Sequence, residues 1–147
     1  MAITGFVHDA AKKHMVDGAF PWTSTMSPRA MLVLKNTWTP QASDNFVQTA
    51  ITAGATELSA SGYARLALVG LTTSQDDGNT RALISAGTIH FANIAAAQNF
   101  NALMIFNFVT NDTDSWLIAT YDLGGTQTTN GLGWYFALNA AGLIALT

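Results

Sequence analysis

A chain of 147 residues is the size of one domain and can bury about 70% of its unfolded surface, enough for a single core. Hydrophobic residues make up 49% and charged residues only 10%, against about 25% charged in a typical soluble domain. A net charge of −3, Lys12-Lys13 as the only basic pair and the absence of cysteine exclude phosphate-tracking nucleic-acid binding, disulfides, zinc–thiolate sites and thiol catalysis.

The first predicted element is a helix over about 5–17, where Phe6, Val7, Ala10, Ala11, His14 and Met15 recur at helical spacing. Thr4 is placed at its N-cap and Gly18 at its stop, with Lys12, Lys13 and His14 at the negative end of the helix dipole. Lys12 and Lys13 interrupt the apolar pattern in a way unlike a signal peptide, and no apolar run approaches the ~20 residues of a membrane helix. An aromatic loop over 19–28 carries Phe20 and Trp22 around Pro21.

From residue 29 onward the chain reads as strands. Over 29–36, Met31, Val33 and Lys35 alternate with Ala30, Leu32 and Leu34. A loop holds Trp38 and Pro40, and a short helical turn is expected over 44–51, capped by Ser43 and grouping Phe46, Val47 and Ala50. A second loop, a strand over 62–70, a hairpin around Asp77-Gly78 and a short strand over 88–91 follow.

The stretch 102–124 is the most hydrophobic, two strands around the turn TNDTDS. Leu103, Ile105, Asn107 and Val109 oppose Met104, Phe106 and Phe108; Trp116, Ile118 and Thr120 oppose Leu117, Ala119 and Tyr121. Both faces are largely apolar, which predicts a hairpin inside a sheet covered on both sides. A glycine-rich turn, a strand with Leu132, Trp134, Phe136 and Leu138 on one face, the turn NAAG and a last strand LIALT complete the chain. About nine short strands at regular spacing predict a mainly β fold, an antiparallel β-sandwich with a jelly-roll-like arrangement and one N-terminal α-helix. The expected organisation is a single domain over 1–147, with the sandwich over 29–147.

No catalytic constellation is expected. His8 and His14 lie six apart on the predicted helix and His90 sits in a strand, so a metal triad would need a coincidence of packing. NDTDS and DDGN resemble fragments of calcium loops, but neither ends in a bidentate glutamate, and Asx-turn chemistry accounts for both. The aspartates fall almost entirely in turns, and no G-x-S-x-G elbow is present. No cofactor and no metal are therefore predicted. Trp116 and Trp134 are assigned to the core. Trp22 and Trp38, in loops beside prolines, either offer a contact surface or pack under their own loops.

The order of segments resembles a family of tailed-bacteriophage virion structural proteins, the capsid decoration or cement proteins. The matching pieces are HDAAKKHMVDGAF, MLVLKNTWTP, SDNF, SGYARLAL, DDGNTRALISAGTIHFA, ALMIFNFVTNDTDSWLIATYD, TTNG and GLIALT, from Val7 to Leu146. SGYARLAL, NDTDSWLIATYD and GLIAL are the most specific of these. The segment FPWTSTMSPRA departs from the pattern, being longer and more aromatic.

The resemblance implies a non-enzymatic protein, a homotrimer on the outer surface of the capsid that clamps adjacent major capsid subunits, made in the bacterial host cytoplasm. Its implied partners are copies of itself and the major capsid protein, with no nucleic acid and no membrane. Phe20, Trp22, Trp38 and Phe46 are the interface candidates. Trp22→Ala or Trp38→Ala is expected to weaken attachment without unfolding the domain. A tail, fibre or connector component is one alternative, and a sugar-binding β-sandwich using the loop tryptophans is another.

Overall fold

The computed structural model describes residues 4–137 and 143–146; Leu138 and the turn NAAG lie outside them. The fold is mainly β with a helix near the N-terminus. Strands β1 (Thr4–Val7), β2 (Pro28–Leu34), β3 (Thr56–Glu57), β4 (Leu66–Ala67), β8 (Asn99–Asn107) and β9 (Trp116–Thr128) form one sheet. Its order is β1-β9-β8-β2-β3, with β4 also pairing to β2, and every pairing is antiparallel. Strands β5 (Thr72–Asp76), β6 (Arg81–Ser85) and β11 (Ile144–Leu146) form a second sheet, and β7 (Ile89–Phe91) with β10 (Trp134–Phe136) a third.

The long hairpin sits in the middle of the main sheet with apolar side chains on both faces, as its pattern predicts. On one face Leu32, Leu103, Ile105 and Ile118 pack with Ile84, Ile89, Phe91 and Ile144 of the smaller sheets and with Ala11. On the other, Met31, Val33, Met104, Phe106 and Leu117 pack under Trp38, Val47 and Ala50. The alternation read for β2 therefore holds: Ala30 and Leu32 face one way, Met31 and Val33 the other.

The alternation read for β9 does not. Phe106 pairs with Leu117 and Ile105 with Ala119, so Ile118 is an extra residue and the strand bulges there. Beyond the bulge every side chain changes face, because the period of a strand is two. Ala119 and Tyr121 thus join Trp116 and Ile118, while Thr120 comes to lie opposite Met104.

The N-terminal helix is shorter than expected. Gly5–Val7 belongs to β1, paired with Ala119–Tyr121, and the helix α1 runs over Asp9–Val16. Glycine and the β-branched Thr4 and Val7 are weak helix formers, and an available sheet edge decides the matter. His8 stands at the N-cap without a capping side-chain bond, in place of Thr4. The stop is as predicted: at Gly18 φ is +71°, Ala19 N–H reaches His14 O at 2.8 Å and Gly18 N–H reaches Met15 O at 3.3 Å, the two bonds of a Schellman motif.

The second helix, α2, covers Val47–Thr52, with Phe46 rather than Ser43 at its N-cap. No side chain caps it. Its first amides are satisfied by carbonyls of the central turn, Val47 N–H to Ser115 O and Gln48 N–H to Asp112 O, both at 3.0 Å.

The strand expected over 62–70 shrinks to β4. At Gly62 φ is +82° and an added Cβ would lie 2.4 Å from Asn93 O, so the chain turns tightly there instead of extending. Between β3 and β4 the edge of β2 is closed by a side chain: Leu32 N–H donates to the Tyr63 hydroxyl at 3.0 Å. The Asp77-Gly78 hairpin forms as read, with β5 and β6 in continuous register from Asp76↔Arg81 to Thr72↔Ser85.

Candidate functional site

The structure separates the four interface candidates. Trp22 is 2% exposed and Trp38 is 3% exposed, on opposite faces of the main sheet. Each indole finds an acceptor: Trp22 Nε1 donates to Ser85 O, at the end of β6, at 2.8 Å, and Trp38 Nε1 to Asp44 Oδ2 at 2.9 Å. Neither is an exposed platform: of the two readings of the loop tryptophans, the structure shows them packed inward. An indole beside a proline looks like an exposed anchor in sequence, but so large an apolar surface is buried whenever its N–H can be satisfied.

Phe20 is half-buried, stacked on Trp22 with centroids 5.7 Å apart and tilted against Trp116 at 5.6 Å. Phe46 is 40% exposed and bridges Trp116 through its backbone. Phe20, Trp22 and Phe46 are thus gathered around Trp116, itself buried, while Trp38 lies beyond the sheet. His14 completes the group, its ring 4.4 Å from that of Trp116.

Trp116 marks one end of the main sheet. There β2 and β9 begin and β4 and β8 end, with Pro28 paired to Asn107 and Asn107 to Trp116. Loops leaving this end carry exposed aliphatic side chains. Val69 follows Leu68, whose N–H bonds to Pro28 O, and Val109 follows Phe108, whose N–H bonds to Ser27 O. Val16 closes α1, two residues after His14. Val16, Val69 and Val109 are 87%, 69% and 51% exposed. Beside Phe46 a groove of about 490 Å³ is lined by Gln48, Thr49, Thr52, Ala53 and Thr113, none of them charged. The sequence pattern places Val69 and Val109 in strands, and only the structure sets them in exposed loops beyond β4 and β8.

Most of the ions are already paired. Lys12 pairs with Asp9, Lys13 with Asp17, Lys35 with Asp122 and Arg81 with Asp76. Arg65 is held between Glu57 and Asp112, beneath it the ring of Phe106 at 5.3 Å. Those two carboxylates hold the Arg65 charge firmly, raising its pKa. Tyr63 donates to Glu57 Oε1 at 3.0 Å, and burial beside that carboxylate raises its pKa as well. Arg29 lies 3.8 Å from the centroid of the Phe108 ring.

The acid-rich turns are similarly occupied. Asn111 Oδ1 accepts from Thr113 N at 2.8 Å in an Asx-turn, and Asp76 Oδ2 accepts from Asn79 Nδ2 and Arg81 Nε. The histidines are kept apart: His8 is buried on Thr120 Oγ1 at 2.8 Å, His14 rests on Trp116 and His90 stacks on Tyr135 at 3.9 Å. Among the described residues no group of three His, Cys, Asp or Glu could hold a metal ion, and no helix is long and apolar enough to cross a membrane.

The opposite end of the main sheet is polar. A cleft of about 420 Å³ opens there between Phe6, Trp38, Lys35, Asn101 and Asp122. No family model, no curated protein and no solved structure matches the chain.

Proposed function

We propose that the chain is a non-enzymatic virion structural protein of a tailed phage, a homotrimeric capsid decoration protein that clamps neighbouring major capsid subunits from the outer surface of the head. In this reading the β5-β6-β11 and β7-β10 sheets are the second layer of a sandwich-like body, jelly-roll-like in its course. The observation that carries it is the combination of paired ions with an unpaired apolar end. With only 10% charged residues and its lysines paired, the surface is poor in the charge that is depleted from interface cores. Val16, Phe46, Val69 and Val109 supply apolar contacts at one end of the sheet.

The physics of such a role requires no reacting group. A protein that binds only the closed, expanded lattice stabilises it by mass action against the pressure of packaged DNA. Threefold closure triples the attachment points, so weak neutral contacts sum to a tight clamp.

Light scattering coupled to size exclusion tests the assembly: a trimer has three times the 15.6 kDa of one chain. Co-sedimentation with tailed-phage heads tests the attachment. A monomer that ignores DNA-filled heads overturns the proposal, and labelling confined to the tail in electron micrographs transfers it to a tail or fibre component.

A further inference from the structure

The polar cleft is built differently from the rest of the surface. It lies beside the point where the pairing of β8 with β9 jumps from Ala102↔Asp122 to Phe100↔Gln127. Lys35, just past the end of β2, reaches across to the Asp122 carboxylate, and the pair is partly exposed, the side chains 21% and 36%. Asp122 Oδ1 also accepts from Gly124 N at 3.0 Å. Asn101 Oδ1 accepts from Lys35 N–H at 2.8 Å, which leaves its amide NH₂ as the donor it can offer a ligand. Phe6, half-buried, and Pro40 supply apolar walls, and the exposed Thr39 stands at the rim.

This chemistry selects a ligand class. The two charges among the described lining residues, Lys35 and Asp122, neutralise each other, so the cleft offers no net charge to an anion or a cation. A hydroxyl group, donor and acceptor at once, can bridge the carboxylate and the amide without disturbing either. The apolar walls match a C–H face, and the volume falls within the range of about 300–1,000 Å³ typical of small-molecule sites.

We propose that this cleft binds a neutral sugar residue, its hydroxyls held by Asn101, Asp122 and Lys35 and its C–H face laid on Phe6 and Pro40. The inference stands apart from the capsid reading: it concerns the opposite end of the sheet and holds for the isolated chain.

The test is titration of the ¹⁵N-labelled protein with free glucose, galactose, mannose and N-acetylglucosamine, following the side-chain amides of Asn101 and Asn36 and the indole of Trp38. Inorganic phosphate and glucuronate serve as anionic controls. The expected result is saturable shifts of these resonances with at least one neutral sugar. The shifts should disappear in Asn101→Ala and in Thr39→Lys, which blocks the rim from an exposed position and keeps the fold if Asn101→Ala does not. They should persist in Val16→Lys, at the far end. Silence with all four sugars, tighter binding of either anion, or shifts that survive Thr39→Lys would overturn the proposal, whatever the assembly state of the chain.

Discussion

At one end of the main sheet, aliphatic and aromatic side chains collect around Trp116, and the ions nearby, Lys13 with Asp17 and Arg65 with Asp112, are paired. At the other, Lys35, Asp122 and Asn101 line a cleft with their hydrogen-bonding groups turned partly toward solvent. Both ends draw on the same few strands. The difference lies in what the loops bring: 16–28, 68–70 and 108–115 carry exposed or half-buried apolar groups, whereas 35–40 turns its Trp38 inward and leaves Asn36, Thr37 and Thr39 exposed. The first end suits a surface that must lose water to a partner, the second a ligand that keeps hydrogen bonds.

The comparison can be broken from its foundations outward. The largest effect is expected from Trp22→Ala, which removes a buried ring stacked on Phe20 and its bond to Ser85: a loss of about 3–5 kcal/mol in urea denaturation. A variant that keeps full stability would show that Trp22 is not part of the core beneath the apolar end.

Next comes pH. His8 is fully buried, and that burial lowers its pKa from 6.5 to about 4, with Asp44 and Asp9 opposing the shift and Thr120 as its hydrogen-bond partner. The unfolded chain takes up this proton at 6.5 and the native chain only near 4. Between those values the unfolded state binds more protons, so stability falls as pH falls, by about 3 kcal/mol across the window. Denaturation curves at several pH values, with His8→Gln as the reference that lacks the dependence, check this.

Arg65→Met is a smaller lesion of the apolar end. It leaves Glu57 and Asp112 without their cation and frees the turn that supplies the amide acceptors of α2. The carboxylates are part-exposed, so the expected cost is about 1–3 kcal/mol, below that of a fully buried pair. Increased hydrogen exchange at Val47 and Gln48 would locate it.

The smallest stability effect belongs to Val16→Lys, at about 0.5 kcal/mol or less, since the side chain is 87% exposed. Its expected consequence is on assembly or head binding, through a charge placed in a neutral contact. Unaltered trimer and unaltered co-sedimentation would remove Val16 from the proposed contact surface.

Much of the local structure was legible. The alternation of β2, the Asp77-Gly78 hairpin and the Gly18 stop all depend on neighbours in sequence, and each formed as read. The candidate site was less so. Of Phe20, Trp22, Trp38 and Phe46, only Phe46 stands substantially exposed, and the exposed Val69 and Val109 read as strand residues in the sequence.

The reason is one of range. Periodicity, turn chemistry and composition reside in contiguous residues, and by themselves they determined a charge-poor, mainly β chain with a doubly covered central hairpin. Which strand takes up Gly5–Val7, where β9 inserts Ile118 and reverses its faces, and whether an indole turns inward are set by partners distant in sequence. Those choices are made when a sheet edge or a carbonyl becomes available in three dimensions, and only the tertiary structure decided them.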